Sequence, residues 1–102
     1  MFLVLIRYVR PSEEVDRVRG EHRAFLQECY RAGALICSGP RTDRTGGVLL
    51  ARSGRREDVE AMVVRDPYAL AGVAAHDIVE FDCLSSAAGF EPFLAPADST
   101  RP

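Results

Sequence analysis

Apolar residues run almost unbroken through FLVLIRYVR (2–10), a length and composition that suit a β-strand. After Pro11 and Ser12 the period changes. Val15, Val18, Phe25, Leu26 and Cys29 recur at helical spacing, while Arg17, Arg23, Gln27 and Arg31 fall on other faces. A helix is expected from about Glu13 to Ala32, with Ser12 as N-cap, Glu13 and Glu14 at the positive end of its dipole, and Gly33 as C-cap. ALICSGP (34–40) reads as a second strand, halted by Gly39-Pro40, and RTDRTGG as a polar loop. GVLLARS (47–53) is a third strand, and Ser53-Gly54 opens a second helix that reaches about Arg65. DPYALAG (66–72) supplies one further helical turn, and VAAHDIVEFDCL (73–84) a fourth strand.

The order β-α-β-β-α-β is the split βαβ pattern of ferredoxin-like domains. It implies an α+β fold in which a four-stranded antiparallel sheet carries two helices on one face. Strand one is apolar at both parities, with Phe2, Val4 and Ile6 on one side and Leu3, Leu5 and Val9 on the other. Two helices cover one face only, so a second copy of the chain is expected on the other, giving a homodimer. The domain is placed at 1–85. Residues 86–102, with Pro92, Pro96 and Pro102, form a C-terminal extension whose end, APADSTRP, is expected to be mobile.

A length of 102 residues allows one domain with a modest core. The net charge of -2 gives no broad basic surface, so no nucleic-acid partner is expected. All thirteen basic residues are arginine, and without lysine a Schiff base or lysine-anchored pyridoxal cofactor is excluded. Cys29, Cys37 and Cys83 form neither a CxxC pair nor an even set. They read as small buried hydrophobes of a reducing cytoplasm, with a nucleophilic Cys37 unsupported. MFLVLIRYV lacks the charged start and cleavage site of a signal peptide, and no run approaches a membrane span, so a cytoplasmic location is expected.

His22 breaks the apolar stripe. At helical spacing it points within roughly 20° of Val15, toward the sheet or a cleft beside it. It is either a core histidine satisfied by a carbonyl or carboxylate, or a working one, and in both cases it needs a partner. Asp66 offers one. Because it precedes Pro67, the helix should break there, making Asp66 an N-cap for the next turn. A carboxylate has acceptor sites for a backbone N–H and an imidazole together.

His22, GALICSGP (33–40), Gly46-Gly47 and DPYALAGV (66–73) resemble, in order and spacing, the YCII-related family over residues 1–84. The resemblance implies a ferredoxin-like fold that pairs as a dimeric α/β barrel. It also implies an active-site His–Asp pair, here His22 and Asp66, and in some members a link to breakdown of hydroxylated or halogenated aromatics. On that basis neutral His22 would be a general base on a small-molecule ligand, with Asp66 fixing its tautomer. The reaction would be proton abstraction, isomerisation or elimination, with no cofactor required. Two alternatives share the fold. One is a non-catalytic small-ligand-binding or accessory protein. The other is a cofactorless monooxygenase, which would need a larger aromatic-rich cavity and against which the absence of tryptophan counts.

Secondary candidates surround this pair. Ser38 and Gly39, at a strand end, offer a hydroxyl or backbone amide to a substrate oxygen, or simply turn chemistry. Tyr68 offers a phenolic donor or packing. Arg41, with Arg44, offers a cation to a carboxylate or phenolate, or a solvated loop. His76 has the parity of Ile78 and is assigned a structural place or one at the dimer face. Ligand-type residues never cluster at metal-binding spacing, so no metal is expected.

Overall fold

In the computed structural model, which describes residues 1–52 and 54–94, strand β1 (Phe2–Tyr8) occupies an inner position of a four-stranded sheet. Helix α1 (Ser12–Arg31), β2 (Leu35–Pro40) and β3 (Gly46–Ala51) follow. Helix α2 (Arg56–Arg65), the single turn α3 (Pro67–Leu70), β4 (Ala74–Glu80) and a short 3-10 turn (Glu91–Phe93) complete the order. The strands lie as β2-β3-β1-β4, and every neighbouring pair is antiparallel. This is the α+β ferredoxin-like arrangement. The expected end of strand three and start of helix two at Ser53, and the expected mobility of APADSTRP (95–102), lie outside the described residues.

The alternation of β1 sorts its two faces. Phe2, Val4 and Ile6 are at most 1% exposed and pack with Val15, Phe25 and Cys29 of α1 and with Val59 and Met62 of α2. Leu3 and Leu5 are half-buried on the face that the helices leave open, beside Val48, Leu50 and Val79 of the neighbouring strands.

The ends of the elements shift by a few residues from the sequence reading, each for a local reason. Helix α1 starts at Ser12, with Pro11 in the N-cap position. The Pro11 carbonyl accepts from Glu14 and Val15, and Ser12 makes no capping bond. At the other end Ala32 is the C-cap and Gly33 lies one residue beyond it at φ 76. Gly33 N–H donates to Tyr30 and Ala34 N–H to Cys29, a Schellman closure that delays β2 to Leu35. Pro40 belongs to β2, and β2 is an edge strand, where a missing donor is tolerated. Helix α2 starts at Arg56, with Arg55 as N-cap and the acids Glu57 and Asp58 in its first turn. Strand β4 ends at Glu80, opposite Phe2, and Phe81 just beyond it still exchanges backbone hydrogen bonds with Met1.

Gly46 is a packing requirement. A Cβ there would lie 1.7 Å from the Ile6 carbonyl oxygen, so only glycine lets β3 approach β1 at that point. Among the described residues no helix is long and apolar enough to cross a membrane.

Candidate functional site

Asp66 organises the site, and its backbone explains how. The residue before Pro67 is held out of helical conformation, at φ -61 and ψ 126, so α2 stops and α3 begins. Its side chain then accepts the Tyr68 N–H at 2.9 Å as the N-cap of α3. That bond fixes a carboxylate that is 1% exposed and has acceptor capacity to spare.

Two imidazoles use it. His22 Nδ1 lies 2.7 Å from Asp66 Oδ1, and His76 Nε2 lies 2.8 Å from Oδ2. Burial pushes the Asp66 carboxyl up, but hydrogen bonds from His22, His76 and the Tyr68 backbone overcome it and hold the group well below the usual carboxylate range. An ionised carboxylate only accepts. His22 therefore donates from Nδ1 and His76 from Nε2, which assigns both tautomers. With Nδ1 anchored, the Nε2 of neutral His22 is an acceptor. No described residue bonds it, and no buried side-chain nitrogen or oxygen among the described residues lacks a partner, so it opens to the cavity that His22 lines.

Tyr68 lies flat on the His22 ring, with centroids 3.9 Å apart and planes 10° from parallel. Tyr8 meets Tyr68 edge-on at 5.7 Å. Burial, with Tyr8 adding to it, pushes the Tyr68 phenol up to about 12, so it stays protonated at neutral pH and is a donor.

The cavity beside this cluster measures about 300 Å³. Sheet register explains why it exists. On the helix-facing side of β3, Ala51 pairs with Phe2, Leu49 with Val4 and Gly47 with Ile6. A Cβ on Gly47 would stand 3.3 Å from the Gly39 carbonyl oxygen and 3.8 Å from Ile6 Cδ1, so glycine lets β2 lie close here and adds no side chain to the cavity wall. A bulge between Leu35 and Cys37 contributes too. Leu35 pairs with Ala51, yet Ser38 pairs with Leu49, so two positions of opposite parity share one face. Without the bulge Cys37 would point toward the helices; with it Cys37 is exposed and Ser38 lines the cavity.

The structure thus brings His22, Asp66 and Tyr68 into contact and places Ser38 and Gly39 in the cavity wall. The Ser38 hydroxyl is 2.6 Å from the Tyr30 hydroxyl. Arg41 stands apart, with its guanidinium 3.8 Å from Asp43, and Arg44 of the same loop lines the cavity. Of the two places expected for His76, the structure gives it the structural one and not the dimer face. Its side chain is 3% exposed and belongs to the carboxylate cluster, not to the open face of the sheet. The signal was its parity with Ile78, which packs against the core, as the pairing of Ile6 with His76 makes explicit. Among the described residues no group of His, Cys, Asp and Glu has the geometry to hold a metal ion.

The model of the YCII-related domain family matches residues 1–82. Among solved structures the chain is similar to the 5-chloro-2-hydroxyhydroquinone dehydrochlorinase of Burkholderia phenoliruptrix in complex with 2,5-dihydroxybenzoquinone. The TM-score is 0.63 at 22% identity, over 80% of this chain and 94% of that one, a likeness of fold. No curated protein matches the chain.

Proposed function

The chain belongs to the YCII-related domain family, and from that premise we propose that it is a cofactor-independent enzyme in which His22 moves a proton on a small hydroxylated aromatic substrate. The observation that carries this reading is the 2.7 Å contact between His22 Nδ1 and Asp66, which leaves Nε2 as the nitrogen at the cavity. A base needs a vacant acceptor, a fixed tautomer and a nearby anion to stabilise its protonated form, and the three coincide here. The structural neighbour is named for removing chloride from a hydroxylated aromatic, which supports elimination as the reaction class. In such a step Nε2 takes the proton and the halide leaves with its bonding electrons. Asp66, held ionised, stabilises the imidazolium until the proton is released to water. Tyr68, which stays protonated, keeps the ring flat and keeps a second negative charge out of the site.

The test is turnover of a panel of halogenated and unhalogenated hydroquinones, followed by quinone absorbance and by released halide. Wild type should turn over at least one halogenated member with release of one halide per quinone formed, and the unhalogenated members, which have no leaving group, serve as controls. His22→Gln should stay folded by circular dichroism and lose about 10²–10⁴-fold in kcat, the range of a general base. Undiminished turnover by His22→Gln, or none by wild type across the panel, would overturn the proposal.

A further inference from the structure

We propose that the cavity beside His22 selects ligands that bear an oxyanion on a small ring, held by Arg23 and Arg44. The proposal deepens the proton-transfer reading of the same site and rests on it only for the ring chemistry of the ligand.

The lining carries the argument. Arg19, Arg23 and Arg44 line the cavity, and among the described residues no aspartate or glutamate does. This local excess of positive charge stands in a chain whose net charge is -2. The three arginines are not equivalent. Arg19 donates to Asp16 at 2.6 Å and is already neutralised within α1. Arg23 and Arg44 make no ion pair with any described residue. Arg19 and Arg23 stand four apart on one helix, a like-charge spacing that weakens a helix unless something between the charges compensates.

The placement of Arg44 is costly in a second way. It sits at φ 64, the one non-glycine among the described residues with a positive φ. An arginine gains nothing intrinsic from left-handed backbone. The loop nevertheless holds it there. Arg44 N–H donates to the Arg41 carbonyl at 2.9 Å, and Asp43 takes both the backbone N–H and the hydroxyl of Thr45. Asp43, the nearest acid in sequence, is thereby engaged with Thr45 and Arg41 and does not line the cavity. Two unpaired guanidiniums from different elements, a helix and a loop, therefore share one cavity with a base. A fork of fixed donors suits a carboxylate or phenolate oxygen better than a neutral hydroxyl.

Isothermal titration with a matched pair tests this. 4-Hydroxybenzoate carries a carboxylate, and 4-hydroxybenzamide is its neutral counterpart of nearly equal shape. Wild type should bind the acid at least about tenfold more tightly, with the preference falling as salt rises. The double variant Arg23→Gln, Arg44→Gln, checked for fold by circular dichroism, should bind both alike. Arg19→Gln should cost less than either single change. 4-Nitrophenol, titrated on both sides of its own pKa, reports whether a phenolate serves as well as a carboxylate. Equal binding of acid and amide, a preference that survives the double variant, or no binding of either at millimolar concentration overturns the proposal. Arginine-dependent binding without turnover of the hydroquinone panel sinks the proton-transfer reading instead and leaves this one standing. Turnover without any preference for the acid does the reverse.

Discussion

Asp66→Ala and Asp66→Asn, compared by urea unfolding, separate the two jobs of this carboxylate. As a cap alone, alanine would cost about 1 kcal/mol. The structure adds two buried imidazole donors at 2.7 and 2.8 Å. Deleting the carboxylate strands both where water cannot replace it, and breaking a buried charge-assisted pair costs roughly 3–5 kcal/mol. That is a large part of the stability of any domain this size, typically about 5–15 kcal/mol. Asparagine caps as well as aspartate, so it isolates the second job. Its single oxygen serves the Tyr68 N–H and one imidazole, and its amide faces the other imidazole as donor against donor. A loss of about 1.5–3 kcal/mol is expected, the worth of one hydrogen bond to a charged group.

Acid adds a second readout. The folded carboxyl titrates below its unfolded value, so the folded state binds fewer protons than the unfolded state as the pH falls past the ordinary aspartate range near 3.9. The stabilisation from Asp66 is complete above about pH 5 and is lost progressively as pH falls toward the depressed folded value. Asp66→Asn has no such group, so the stability gap between wild type and variant should close in acid. A gap that stays constant from pH 7 to 3, or an Asp66→Ala cost of only about 1 kcal/mol, would refute the shared-carboxylate reasoning.

Three further outcomes follow from the geometry. His76→Leu leaves Asp66 Oδ2 without its partner, so stability should fall by about 1–3 kcal/mol, and in the proposed reaction kcat should fall and the pH–rate profile move while KM holds. His76→Gln, which keeps a donor, should recover part of both, and identical behaviour of the two variants would make His76 a packing residue only. Gly47→Val adds a side chain on the face that Gly47 leaves bare, with its Cβ 3.3 Å from the Gly39 carbonyl oxygen, so β2 must shift by a few tenths of an ångström; in protein shown to be folded by circular dichroism, 4-hydroxybenzoate binding should drop by about tenfold or more, and unchanged binding would place the ligand elsewhere. The half-buried Leu3 and Leu5, together with Val79 at 44% and Phe81 at 41% exposure, should be covered by a second copy of the chain, and a monomer at tens of micromolar by light scattering would contradict that.

The order of elements was legible because β1 is an almost unbroken apolar run of strand length and α1 keeps a period of 3.6. Their boundaries were not, because they depend on backbone partners. Strand β4 looks apolar enough to continue to Leu84, and it stops at Glu80, opposite Phe2, the first residue of β1. The face of Ser38 was also hidden. Parity counted from Leu35 sends Ser38 away from the helices, and a one-residue bulge returns it. A bulge inside ALICSGP has no sequence mark, since none of those residues demands it. His76 was legible only in part. Its parity was correct, but its partner depends on which strand lies beside β1 and in what register, and that is set only when the whole sheet closes.

The histidine on the buried face of α1 was legible as an anomaly, and the structure turns the anomaly into a consequence. A helix break before proline leaves orphan N–H groups, and a carboxylate is a natural way to satisfy one of them. Burying that carboxylate creates a new need, because one backbone N–H cannot satisfy two oxygens. Leucine at position 22 would pack the stripe better and would leave Oδ1 with the Tyr68 N–H alone. An imidazole there satisfies the acid, offers a flat face to Tyr68, and still presents one nitrogen to the cavity. Cap and dyad are therefore not competing roles for Asp66. The Tyr68 N–H fixes the plane of the carboxylate, the carboxylate fixes the tautomer of His22, and His76 on the second oxygen keeps the group from turning. Removing any one of these bonds should loosen the others, so the costs of His76→Leu and Asp66→Asn should not add in the double variant. A double-mutant cycle that returns simple additivity would show that the three contacts act separately and that His22 is oriented by packing instead.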